Sequence, residues 1–314
     1  MSSPRQARVR ALAKINLDLR VLGKRPDGYH EIRTIFQTVS LADSLEITFT
    51  PGRRTSIELV DRAEIADNLV VRAAELALDT MQVTGAIAMR LVKRIPMGAG
   101  LGGGSSDAAA VLLSLPVLAG RELPVSTLCT IAQQLGSDVP FFLLGGTAAA
   151  IGRGTEAFPL ADIPPRTGLI VAPGVHVSTV VAYRALSPRL TTESQENKIF
   201  SFQAHTWSVV DRCAGVNDFE PVVFERESRL ATLKQKLIRA GASPGMLTGS
   251  GSALFGLFRD RDAMRRALER FRNENVFPIS LVTRAQYRAL WRRALKPHAD
   301  PERSVWPPRS RYKR

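Results

Sequence analysis

A chain of 314 residues, 45% of them hydrophobic and 23% charged, is long enough to bury a full core and has the balance of a globular rather than a disordered or fibrous protein. No apolar run approaches transmembrane or secretory-leader length, and Cys129 and Cys213 lack metal-ligand spacing, so a reducing, cytoplasmic setting without membrane contact is expected. The formal charge of +14 is uneven: residues 284–314 hold ten Lys/Arg against two acids, so only +6 belongs to the rest, which suits anionic phosphate ligands better than a nucleic-acid footprint.

Residues 9–22 are rich in β-formers and predict an opening strand, with Lys14 set among apolar neighbours. Arg25-Pro26-Asp27-Gly28 predicts a turn, and residues 32–41 and 44–49 two further strands. In 68–78, Val70, Ala73, Ala74, Ala77 and Leu78 recur at helical spacing. A strand over 87–92, helices starting near 108 and spanning 125–135, and a strand over 147–151 follow. Asp162-Ile163-Pro164-Pro165 is the linker candidate, dividing a domain over 1–163 from one over 164–283. Beyond it come a strand (167–171), a polar stretch (187–203) that reads as a mobile connection, a helix (230–240), a strand (252–258), a helix (262–273) and a last strand (277–282). Strands and helices mix without regular βαβ alternation, so the fold class is α+β. Residues 284–314, with four prolines, read as a basic extension that is solvated and disordered beyond a short helix near Tyr287.

The most informative segment is Pro96-Met97-Gly98-Ala99-Gly100-Leu101-Gly102-Gly103-Gly104-Ser105-Ser106-Asp107. A strand feeding a glycine-dense turn that opens a helix leaves backbone N–H groups unpaired at the positive end of the helix dipole, where a polyphosphate fits. A plain surface turn is the blander alternative. No lysine follows the glycines, so the Walker form is absent. The dinucleotide pattern is formally met by Gly98, Gly100 and Gly103 with Glu122 downstream, but Pro96 and the distance from the N-terminus weigh against it.

Other positions stay open on the residues alone. Asp138, in Gly136-Ser137-Asp138-Val139-Pro140, is either a helix N-cap or a general base for an acceptor hydroxyl. Lys14 is either a snorkelling edge residue or a buried cation that needs a carboxylate partner. Tyr29-His30 is a turn-flanking pair or a base-stacking pair. Gly249-Ser250-Gly251-Ser252 and Asn217-Asp218-Phe219-Glu220 are ambiguous between ligand contacts and local caps.

Taken together, Ala13-Lys14-Ile15-Asn16-Leu17, Pro26-Asp27-Gly28-Tyr29-His30-Glu31, the glycine segment, Gly136-Ser137-Asp138-Val139-Pro140-Phe141-Phe142, Asn217-Asp218-Phe219-Glu220 and Thr248-Gly249-Ser250-Gly251-Ser252 resemble the GHMP small-molecule kinases, in that family's order and over about residues 9–283. The resemblance implies two α+β domains, the first ribosomal S5-like and the second ferredoxin-like, with ATP and acceptor meeting in the cleft between them. It implies ATP contacts at Lys93, Pro96, Met97, Gly98, Ala99, Gly100, Leu101, Gly102, Gly103, Gly104, Ser105 and Ser106. Lys14 and Asp138 match the catalytic pair, Asp138 drawing the acceptor proton and Lys14 stabilising that carboxylate and the moving phosphoryl group. The first two motifs resemble the branch whose acceptor is a cytidine-diphosphate-linked methylerythritol. By that likeness Asn16 orients the substrate, Tyr29 and His30 recognise the cytosine, and Tyr183 sandwiches it from the other side. Mg²⁺ is expected to bridge the ATP phosphates, with no acidic ligand assigned. The alternatives are a family member acting on homoserine or mevalonate, and a non-catalytic RNA-binding protein built on an S5-like domain. A monomer or weak homodimer is expected, with nucleic-acid contact confined to the basic tail.

Overall fold

The computed structural model describes residues 3–61, 67–190, 192–208, 211–302 and 305–312. Two long strands organise its first half. β1 (Arg5–Lys24) and β2 (His30–Pro51) pair antiparallel along nearly their whole length, reversed by the turn at Gly28, whose φ of 84° suits glycine. Where the sequence predicts two strands, β2 is one. The polar residue between them, Asp43, stays buried inside the strand because Arg94 N and Ile95 N donate to its Oδ1 at 2.5 and 2.8 Å. β3 (Ser56–Asp61), β4 (Gly85–Val92), β5 (Thr147–Gly152) and β6 (Glu156–Pro159) complete a six-stranded sheet in the order β3-β4-β2-β5-β6, with β1 on the free edge of β2. Among the described strands only the β3–β4 pair is parallel.

Helices α1 (Leu69–Met81), α2 (Gly103–Ala119), α3 (Val125–Leu135) and α4 (Val139–Leu144) pack on that sheet. Residues 106–118 of α2 are buried all round, as an apolar central helix should be. The second half is a four-stranded antiparallel sheet of β7 (Thr167–Val171), β8 (Gly245–Leu247), β9 (Leu254–Phe258) and β10 (Val276–Ser280) in the order β10-β7-β9-β8. It carries α5 (Thr179–Leu186), α7 (Glu220–Arg226), α8 (Ser228–Arg239) and α9 (Arg261–Glu269), while α6 (Thr192–Trp207) lies along β1 and β2. A shared apolar cluster joins the sheets: Ala13, Ile15 and Val39 meet Ile170, Phe255 and Leu281. The architecture is α+β.

Two expectations need correction. The stretch 187–203 does not form a loose connection: it opens with a 3₁₀ turn (Ser187–Arg189) and continues as α6. Lys198 pairs with Asp218 at 2.6 Å and donates to Val21 O, and Phe202 is buried, so its polarity is spent on docking. The segment after residue 283 is not a solvated appendage. α10 (Arg284–Leu295) starts from a Thr283–Gln286 capping box and buries Tyr287, Trp291 and Leu295 at four-residue spacing in the core between α1–α4 and the six-stranded sheet. Arg292 and Arg293 stay exposed, but Arg284 donates to Leu160 O and Thr147 O and Arg288 lies 5.2 Å from the Trp306 ring centre, which is why composition alone misleads; Arg303, Lys313 and Arg314 fall outside the described residues.

Candidate active site

The site grows from irregularities in β1. Register shifts between Leu12 and Lys14 and between Asn16 and Asp18 bulge the strand, a device that re-aims side chains. Lys14 N donates to Leu101 O at 3.0 Å, stitching the glycine loop onto the strand. The Lys14 side chain is buried and donates from Nζ to Asn16 Oδ1 at 2.7 Å, with Asp138 Oδ2 at 3.4 Å. Asp138 does stand at the N-cap position of α4, yet its carboxylate makes no capping hydrogen bond. It remains 28% exposed beside Lys14, free to serve as an acceptor. Asn16 in turn is fixed by Thr34 Oγ1 at 2.8 Å and accepts from Gly249 N at 2.9 Å, so it spans both halves of the molecule.

The glycine loop approaches its neighbours too closely for side chains. Gly100, at φ 76°, faces the Thr248 carbonyl where any Cβ would overlap it. Gly102, at φ 69°, lies against the Phe142 ring and the Lys14 stem. α2 starts at once, and the first intrahelical bond runs from Ser106 N to Gly102 O. The amides of Gly103, Gly104 and Ser105 therefore have no intrahelical partner and form an anion cradle. Ser106 is different: its hydroxyl donates to Leu12 O at 2.7 Å and its amide is used, so it anchors the helix instead of facing a nucleotide.

Two cavities converge here. A groove of about 380 Å³ is lined by Asn68, Lys93, Pro96, Met97 and the glycines. A larger cavity of about 850 Å³ is lined by Lys14, Asn16, Tyr29, His30, Asp138 and Tyr183. Gly100 and Ser105 border both, so the pair Lys14–Asp138 sits where they meet.

Sequence reasoning overlooked the groove's floor. Lys93 Nζ lies between Asp43 Oδ2 at 2.5 Å and Asp107 Oδ2 at 2.6 Å. Burial pulls the Lys93 ammonium down, but the two carboxylates outweigh it and hold it above its ordinary range. Burial, reinforced by Asp43 and opposed by Lys93, pushes the Asp107 carboxyl up to about 7. Asp107 belongs to the glycine motif, but its partner Asp43 lies far away in β2, and no local signal links them.

Across the larger cavity the expected sandwich is closed. His30 and Tyr183 stack directly, with ring centroids 4.4 Å apart and planes 20° from parallel, leaving no slot for a base between them. His30 Nε2 lies 2.9 Å from Ser187 Oγ. Tyr29 is 54% exposed and stands apart under the Arg153 guanidinium, 4.6 Å from its ring. Burial, aided by Lys24, pulls the His30 imidazole down, so it is neutral at neutral pH. Burial and the charge of Asp138 push the Tyr183 phenol up to about 12. Asn217 is a local clip: Nδ2 donates to Leu247 O and Gly249 O, each at 2.9 Å, and Oδ1 accepts from Phe219 N. Among the described residues no group of three or more His, Cys, Asp or Glu gathers as a metal site.

Two family matches cover this framework: the GHMP kinases N terminal domain over residues 68–146 and the GHMP kinases C terminal domain over 201–276. A 4-diphosphocytidyl-2-C-methyl-D-erythritol kinase of Solibacter usitatus is 64% identical, covering 99% of both chains. A crystal structure of 4-(cytidine 5'-diphospho)-2C-methyl-D-erythritol kinase superimposes with a TM-score of 0.74 at 36% identity, covering 87% of this chain and 98% of its own. A homoserine kinase structure from Cytophaga hutchinsonii shares the fold, with a TM-score of 0.68 at 18% identity over 90% of this chain and 96% of its own. The chain belongs to the GHMP kinase family and, within it, to the 4-diphosphocytidyl-2-C-methyl-D-erythritol kinases.

Proposed function

We propose that this protein uses ATP to phosphorylate the 2-hydroxyl of 4-diphosphocytidyl-2-C-methyl-D-erythritol, a step in making isoprenoid precursors by the non-mevalonate route. The observation that carries the reading is the Lys14–Asp138 pair, 3.4 Å apart, at the seam between a glycine-lined groove and a cavity large enough for a nucleotide-sized acceptor. ATP lies in the groove with its triphosphate over the amides of Gly103, Gly104 and Ser105. Lys93 closes the adenosine end.

The acceptor oxygen attacks the γ-phosphorus while the bond to the ADP oxygen breaks, and the hydroxyl proton passes to the Asp138 carboxylate. Lys14, held by Asn16, pairs with that carboxylate and offsets the spreading negative charge. Such transfer asks mainly for positioning and charge neutralisation. Mg²⁺ travelling on ATP suits the hard oxygen donors at the seam, Ser105, Ser137 and Asp138, and would neutralise phosphate charge there.

A neutral His30, whose Nε2 is engaged with Ser187 Oγ, leaves Nδ1 to the cytosine edge. The base reaches the His30 face once Tyr183 turns aside, or stacks on the outer side of the pair. Every group named lies on one chain, so a monomer or weak homodimer suffices. No helix among the described residues is long and apolar enough to cross a membrane, and the reading places the reaction in the cytoplasm.

The test is ADP release by the purified protein with the cytidylyl acceptor, homoserine and mevalonate compared side by side. Turnover confined to the cytidylyl compound is expected. Turnover with homoserine or mevalonate alone would transfer the protein to another branch of the family, and salt-sensitive RNA binding without turnover would remove it from the enzymes.

A further inference from the structure

α4 is a helix of only six residues, too short to be stable on propensity, and its last carbonyls lack intrahelical partners. The C-terminal segment supplies those partners. The Tyr287 hydroxyl donates to Phe142 O at 2.5 Å, and Trp306 Nε1 donates to Leu143 O at 2.8 Å. Tyr287 is fully buried, and its ring packs against Gly145, where any Cβ would overlap it. Burial pushes its phenol up, so it stays a donor at any physiological pH. Trp306 meets Tyr287 edge-on at 6.1 Å, so the two donors form one unit.

The segment is fastened further along. Ser310 Oγ donates to Val117 O at 2.7 Å, Arg309 pairs with Glu122 at 3.3 Å, and His298 Nε2 lies 2.8 Å from Gln6 O. On the opposite side of α4, Phe141 packs on Phe36 with centroids 4.9 Å apart, and Lys14 Nζ lies 5.1 Å from the Phe36 ring centre. α4 is thus held between this segment and the Lys14 wall, with Asp138 at its front end.

We propose that residues 284–302 and 305–312 act as a strap that positions the Asp138 carboxylate against Lys14 by gripping the rear of α4, with Tyr287 and Trp306 as its positioning residues. The strap lies beyond the C-terminal family match, which ends at residue 276, although the Solibacter usitatus relative aligns over 99% of the chain. The inference rests on the reading of Asp138 as the proton acceptor.

Tyr287→Phe removes one donor and keeps the ring, and Trp306→Phe removes the other while keeping a smaller aromatic side chain. Each should lower kcat by about five- to fiftyfold, short of the roughly 10²-fold that an ångström of misplacement can cost. KM for ATP and for the acceptor, measured on the folded fraction, should change less than about twofold. In the Asp138→Asn background the same changes should cost no further rate, because their route runs through the missing carboxylate. An unchanged kcat in the Asp138 enzyme, or an equal loss in the Asp138→Asn enzyme, overturns the strap. If Tyr287→Phe does not fold, Trp306→Phe at the partly exposed end of the strap decides. A fully active Asp138→Asn enzyme would instead defeat the reading of the site, a result separable from both.

Discussion

Replacing Asp138 with asparagine removes the proton acceptor while preserving the shape of the side chain. A positioned base contributes roughly 10²–10⁴-fold, which corresponds to about 3–5 kcal/mol of barrier. The local geometry offers no substitute: Asp138 makes no capping bond, and its ion-pair partner is Lys14 at 3.4 Å. Losing the carboxylate leaves the buried Lys14 with Asn16 at 2.7 Å but no countercharge. Breaking a buried pair costs about 3–5 kcal/mol, and because Asp138 is 28% exposed a stability loss of about 1–2 kcal/mol is expected here, enough to lower Tm without unfolding the protein. The amides of Gly103, Gly104 and Ser105 are untouched, so ATP affinity should stay within about twofold. Steady-state ADP release at saturating substrates gives kcat, and titration with a fluorescent ATP analogue gives Kd. A kcat within about tenfold of the parent, or an ATP affinity that collapses in step with kcat, would refute this assignment.

Gly100→Ala puts a Cβ onto the Thr248 carbonyl at φ 76°, and strain of about 1–3 kcal/mol should raise KM for ATP by about 10–100-fold; an unchanged KM would show that the loop yields freely. Tyr183→Phe keeps the stacking face and should leave KM for the cytidylyl acceptor within about threefold, whereas Tyr183→Ala should raise it about tenfold; equal effects would deny Tyr183 a stacking role. The Asp107 carboxyl is raised from 3.8 to about 7, so its contribution to stability is complete below about pH 4 and is lost as pH rises through about 7. Tm followed from pH 4 to 9 should therefore fall less with rising pH in Asp107→Asn than in the parent, and superimposable curves would contradict the raised value.

The site was legible in the sequence where its chemistry is local. A strand, a run of glycines and a helix lie within one short stretch, so the anion cradle follows from backbone rules alone. Lys14 and Asp138 could be nominated as a buried cation and a possible base, but only the family likeness joined them. Their contact depends on a bulge in β1 and on α4 lying over it. What escaped was polarity satisfied at long range. Asp43 reads as a gap between two strands because its partners, Lys93 and the amides of Arg94 and Ile95, lie about fifty positions on. Lys198 and the C-terminal arginines likewise look solvated until Asp218 and the core beneath Tyr287 are in place. The base slot failed for a related reason: stacking of His30 on Tyr183 is a tertiary contact between the start of β2 and α5.

The most direct measurement is a crystal structure of the complex with a non-hydrolysable ATP analogue, Mg²⁺ and the cytidylyl acceptor. It should place the triphosphate on the amides of Gly103, Gly104 and Ser105, with the acceptor hydroxyl within about 3 Å of the Asp138 carboxylate. A nucleotide lodged elsewhere, or a hydroxyl directed at another group while Asp138 remains engaged with Lys14 alone, would contradict it.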